Sequence, residues 1–113
     1  MKYALLIYNT HAAREALSDE QRTRLDSGIR EVLARPSIGP WVRLHETESA
    51  TTVRHEDGKT LLTDGPYVDS KEYLGGLIVV EAENLDQALA VAAEFQEIRP
   101  GGAIEVRPIQ EMR

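Results

Sequence analysis

The segment Thr63–Leu77, Thr-Asp-Gly-Pro-Tyr-Val-Asp-Ser-Lys-Glu-Tyr-Leu-Gly-Gly-Leu, limits what this chain can fold into more than any other. Asp64-Gly65-Pro66 is a chain reversal with a mechanism: Asp can bond its own downstream backbone, Gly admits positive φ, and Pro presets φ. Gly75-Gly76 then opens an apolar run, where one backbone can approach another closely. The residues N-terminal to the segment alternate strand with helix, and those C-terminal to it make one strand–helix–strand unit. The fold is therefore built from two such units joined across a turn-rich loop.

The first unit starts with Tyr3–Tyr8, an apolar run of strand length suited to a central place in a sheet. Asn9–Ala16 reads as a polar loop. Ser18 with Gln21 three residues on is a capping box, and Asp19 and Glu20 suit the positive end of a helix dipole. Leu25, Ile29, Val32 and Leu33 make one apolar stripe on that helix. Glu20–Arg24, Asp26–Arg30 and Glu31–Arg35 are acid-first i,i+4 pairs on its solvated surface. Arg35-Pro36 stops it, because the residue before proline is pushed out of the α region.

Strand two is expected over Trp41–Glu46, with Val42 and Leu44 facing the helices and Trp41, Arg43 and His45 facing away. Thr51–Glu56 and Lys59–Thr63 flank Asp57-Gly58, a strong hairpin signal that predicts a type I′ turn. After the loop come a strand over Leu74–Glu81 and a helix capped by Asn84, with Gln87 at the box position. That helix has Leu85, Ala88, Leu89, Ala92 and Phe95 on its buried stripe. Arg99-Pro100-Gly101-Gly102 turns the chain into a last strand over Ala103–Ile109, which sets Ile104 and Val106 towards the helices against Glu105 and Arg107.

This order predicts an α+β fold: a ferredoxin-like protomer with an inserted β-hairpin and both helices on one sheet face. The other face, carrying alternate apolar strand residues, needs a cover, so a homodimer is expected. With 113 residues, 42% of them hydrophobic, the chain is a single domain with a real core. A net charge of −6 argues against nucleic acid or an anionic membrane as partner. The absence of cysteine excludes disulfides, thiolate nucleophiles and cysteine metal sites. Three scattered histidines lack ligand spacing, so no metal is expected. No phosphate-loop, dinucleotide or nucleophile-elbow motif is present, and no cofactor is expected. The start is too short for a signal peptide or a membrane span, and a cytoplasmic protein is the simplest reading.

Asp64-Gly65-Pro66-Tyr67, Lys71-Glu72, Gly75-Gly76 before an apolar strand, and Gly102–Pro108 together resemble the YCII-related (DGPF-domain, YciI-like) family, and Met1–Tyr8 is similar to it as well. Two places depart from the family pattern: Tyr67 stands where the family has Phe, and Ala34–Pro40 lacks the usual Ala-Gly run. The resemblance implies a dimeric α+β barrel of ferredoxin-like protomers. It carries no established reaction, and it implies an association with the extracytoplasmic-function sigma factors that many members accompany.

The candidate site residues lie on or beside the organising loop. His45, Asp64, Lys71 and Glu72 are the acid–base candidates for catalysis, and Arg43 and Tyr67 the ligand-binding ones, for a small anionic or aromatic molecule in a dimer-lined chamber. Each has a structural reading beside the functional one. Asp64 serves as readily as the cap of its own turn, Lys71 and Glu72 as a surface charge pair, and His45 as a partly buried structural histidine. Two functions fit these residues: a cofactor-independent enzyme acting on a small molecule, or a non-catalytic ligand-binding or protein-interaction module.

Overall fold

A computed structural model describes residues 1–113. The first unit is β1 (Lys2–Thr10), a short helix α1 (His11–Glu15), α2 (Asp19–Leu33) and β2 (Ile38–Arg43). A 3₁₀ turn (Thr47–Ser49) leads to the hairpin strands β3 (Thr51–Glu56) and β4 (Lys59–Asp64). The second unit is β5 (Glu72–Glu81), α3 (Leu85–Ile98) and β6 (Ala103–Pro108). The main sheet runs β2-β5-β1-β6 with every neighbouring pair antiparallel, and β3 pairs only with β4. With the hairpin set aside, this is the ferredoxin-like strand order, and the α+β architecture agrees with the two-unit pattern.

Local chemistry accounts for the ends of the elements. Ser18 Oγ accepts from the Gln21 amide at 3.1 Å, and Gln21 Oε1 accepts from the Ser18 amide at 2.9 Å, which closes the capping box. Asn84 Oδ1 accepts from the Gln87 amide at 3.0 Å at the start of α3. The Asn9–Ala16 stretch is not all loop: Thr10 Oγ1 accepts from the Ala13 amide at 3.2 Å and caps α1. The hairpin turn has φ of 50° at Asp57 and 74° at Gly58, the pair of positive values that a type I′ turn requires. None of the three i,i+4 pairs expected on α2 closes as an ion pair; Arg35 instead reaches Glu94 and ties α2 to α3.

Tyr3, Leu5, Ile78 and Val80 of the sheet, Val32 of α2, and Ala88, Ala92 and Phe95 of α3 form the core. Leu5 and Val80 are fully shielded, each burial contributing about 1.5–3 kcal/mol. Leu85 and Leu89, expected on the buried stripe of α3, are 46% and 45% exposed. Ile104 and Val106 pair with Ile7 and Leu5 and pack on the core, as their alternation predicts.

Strand two corrects the expected facing. It begins at Ile38 and ends at Arg43, and its ladder slips between Ile38, opposite Val80, and Trp41, opposite Ile78. Directly opposed residues share a face, so Trp41 and Ile38 both stand on the helix side, with Arg43 opposite Gly76 following Trp41. Val42, opposite Leu77, faces the other way. The cause is the extra residue in the Gly39-Pro40 stretch, which inverts the alternation downstream of it. The uncovered sheet face is therefore more apolar than expected: Ala4, Leu6, Leu77, Val79 and Val42, with the Glu105–Arg107 ion pair at the β6 edge. One helix layer on one sheet gives a slab 18 Å thick, with a radius of gyration of 16.0 Å. A compact chain of this length would have about 13 Å. No helix is long and apolar enough to cross a membrane.

Candidate functional site

A cleft of about 200 Å³ opens between the sheet and the α1–α2 segment. Its floor is Ile7, Ile78 and Phe95, its helix wall Leu17, Leu25 and Ile29, and its β2 rim Trp41 and Arg43. The topology creates it. Beyond Ile7 the β1–β5 ladder slips, so that Ile7 faces Gly76 and Tyr8 faces Leu74, and at Gly75 and Gly76 a Cβ would run into Asn9 and the Val42 carbonyl. α1 follows β1 directly, and its Ala13 and Arg14 line the opening.

Arg99 organises the inner end. Its Nη2 donates to the Tyr8 carbonyl at 2.7 Å and to Asn9 Oδ1, and its Nη1 donates to Gln96 Oε1 at 2.7 Å and to the Ala103 carbonyl at 3.4 Å. One guanidinium thus joins the end of β1, the last turn of α3 and the start of β6. All four acceptors are neutral. Burial lowers the Arg99 pKa from its ordinary value, and the Arg14 guanidinium nearby lowers it further.

Tyr73, first inner residue of β5, is 8% exposed and pairs with Asn9. Its hydroxyl lies 3.5 Å from Glu46 Oε2, at the outer limit for a hydrogen bond, and the His11 ring stacks on its own at 4.5 Å between centroids. Burial raises the Tyr73 pKa above its usual value; the Glu46 carboxylate raises it further, and Arg14 offsets part of this. A phenol facing a carboxylate at the edge of an apolar cleft is a pair able to pass a proton to or from a bound molecule. No group of three His, Asp or Glu side chains converges as a metal ion would need.

Of the residues singled out from the sequence, Arg43 lines the cleft. His45 lies just beyond β2, Asp64 ends β4, Lys71 precedes β5 and Glu72 starts it, all of them exposed and none among the lining residues. No ion pair joins any two of His45, Asp64, Lys71 and Glu72. The Asp64-Gly65 turn is tied down by the Gly65 amide on the Ala50 carbonyl and by Thr52 Oγ1 on the Gly65 carbonyl, both at 2.8 Å. Tyr67, 74% exposed, has the Arg54 guanidinium 6.0 Å from its ring centre, a contact within the hairpin region. Sequence reasoning missed Glu46, Tyr73, His11, Arg14 and Arg99. Glu46 and Tyr73 adjoin chosen residues; the β1–β5 register sets Tyr73 opposite Asn9, and Glu46 meets its hydroxyl from the segment after β2.

Residues 1–113 match the family model of the YCII-related domain. An uncharacterized protein of Rhizobium meliloti (strain 1021) is 36% identical over 114 aligned positions, which cover 96% of this chain and 92% of that one.

Proposed function

This chain belongs to the YCII-related domain family, and from its cleft we propose a cytoplasmic, cofactor-independent enzyme that moves a proton on a small organic molecule. The observation that carries the reading is the Tyr73 hydroxyl facing the Glu46 carboxylate at the edge of a cleft with an apolar floor. Glu46 takes the proton from an acidic C–H or O–H of the ligand, and Tyr73 supplies one to the developing oxyanion. Trp41 and Leu25 hold the ligand's apolar body, and Arg43 reaches it from the β2 rim.

Trp41 is the single tryptophan of the chain, so its emission reports on the cleft. Small ligands found by thermal shift are expected to change Trp41 fluorescence and, in D₂O, to exchange an acidic proton with wild-type protein faster than with Tyr73→Phe or Glu46→Gln. Ligands that bind without any enzyme-dependent exchange would refute the catalytic reading and favour a binding module.

The same reading includes a homodimer closed through the uncovered sheet face. What supports it is the row Leu6, Leu77 and Val42, a continuous apolar strip that a monomer would leave in water. In this arrangement the cleft lies on the helix side of each protomer, away from the dimer contact.

A further inference from the structure

Resting on the cleft reading above, we infer that Arg14 and Arg99 form an anion subsite at the cleft's inner end, so that the ligand is a small carboxylate with an apolar body. The charge around the cleft is the first ground. Arg14, Arg22, Arg43 and Arg99 line it against only Asp26 and Glu46, an excess of positive charge on a protein whose net charge is −6. None of the four arginines has a carboxylate within ion-pair distance; the ion pairs of the molecule are Met1–Glu81, Arg35–Glu94, Arg54–Glu56 and Arg107–Glu105.

The second ground is the setting of Arg99. A half-buried cation is ordinarily paired, because desolvating a charge without a counter-charge is costly. Arg99 instead holds four neutral oxygens and shares the cleft lining with Arg14. Arg22 Nη2 donates to the Arg14 carbonyl at 3.3 Å and brings a third guanidinium to the same cleft. An anion entering beside Arg14 and Arg99 meets two guanidiniums that have no carboxylate within ion-pair distance. The four Nη hydrogens of Arg99 are spent on its four neutral oxygens, so Arg99 supplies positive charge while the guanidinium fork of Arg14 meets the two oxygens of a carboxylate. The rest of the lining favours a monoanion over a strongly hydrated phosphate, since the floor is Ile7, Ile78 and Phe95 and two carboxylates stand at the rim.

The test is a fluorescence titration of Trp41 with benzoate, benzamide and phenyl phosphate, on wild type, Arg14→Gln and the control Arg24→Gln, whose side chain does not line the cleft. Benzoate is expected to bind wild type at least tenfold more tightly than its neutral isostere benzamide. Arg14→Gln is expected to cost benzoate tenfold or more, leaving benzamide unchanged, while Arg24→Gln changes neither. Arg99→Gln supplements the series only if its circular dichroism and melting match wild type, because Arg99 also joins three elements. Equal binding of benzoate and benzamide, or a benzoate affinity indifferent to Arg14→Gln, would overturn the subsite and leave the cleft intact as a site. Phenyl phosphate bound more tightly than benzoate would overturn the carboxylate assignment. If none of the three probes, charged or neutral, perturbs Trp41, both the subsite and the cleft reading fall.

Discussion

Two glycines with nearly the same φ give a clean test of how the cleft end is held together. Gly58 has φ of 74° and Gly102 φ of 73°, so an alanine at either position enters the left-handed region. That conformation costs a non-glycine residue about 1–2 kcal/mol, and the stiffer unfolded chain returns about 0.4–1 kcal/mol of it. At Gly58 a Cβ meets nothing within 4 Å, so Gly58→Ala should lose only about 0.5–1 kcal/mol, the balance of those two effects. At Gly102 a Cβ would sit 2.0 Å from the Tyr8 carbonyl oxygen, which is backbone in a central strand. That oxygen also accepts the 2.7 Å bond from Arg99. Relieving the clash moves the carbonyl and breaks a charge-assisted hydrogen bond, a further loss of about 1.5–3 kcal/mol. Gly102→Ala should therefore lose about 3 kcal/mol in urea unfolding, or about 12 °C in melting temperature, against about 3 °C for Gly58→Ala. If the two variants differ by less than about 0.5 kcal/mol, within the usual scatter of surface changes, the close approach of β6 to the end of β1 is not holding this corner.

Three further outcomes are expected. Ser18→Ala should lower stability in urea by about 1 kcal/mol, because it opens the capping box of α2. The raised pKa of Tyr73 means that the fold favours the neutral phenol. Above about pH 10 the unfolded chain gives up that proton while the folded chain keeps it, so stability falls as pH rises there. Tyr73→Phe removes this slope, and parallel stability curves for the two proteins from pH 9 to 11 would contradict it. Light scattering at micromolar concentration should give a dimer for wild type and a folded monomer for Leu77→Lys, which sets a charge in the uncovered face; a wild-type monomer would end the dimer reading.

Features whose causes lie within a few residues of each other were legible in the sequence. The Ser18 and Asn84 caps, the Asp57-Gly58 turn and the break at Arg35-Pro36 each depend on neighbours in the chain, and each stands where the residues place it. The strand order came from the repeat of two strand–helix–strand units. The facing of β2 was not legible, because it depends on one extra residue against β5, and both faces of that strand are apolar enough to suit either phase. The site was legible only at Arg43. His45 and Glu46 are adjacent, as are Glu72 and Tyr73, and in each pair choosing between neighbours requires knowing which side of a bulged ladder faces the helices. Arg99 reads from sequence as the first residue of a turn; its bonds to Tyr8 and Asn9 exist only because β1 ends beside α3.

The place of β1 also governs how the protein is made. β1 leaves the ribosome first, yet its two neighbours in the sheet are the last strands to emerge: Lys2 pairs with Glu81 and Tyr3 with Pro108. While the middle of the chain is being synthesised, the apolar stretch Tyr3–Tyr8 has no strand to pair with, although the Thr51–Asp64 hairpin can close by itself. Such long-range pairing makes folding slow, in the millisecond-to-second range typical of sheet-rich domains. An exposed strand of this kind is also a point of misassembly with other nascent chains. Truncations that remove β6 should therefore yield aggregates rather than smaller folded proteins, since the first strand would then never be enclosed on both sides.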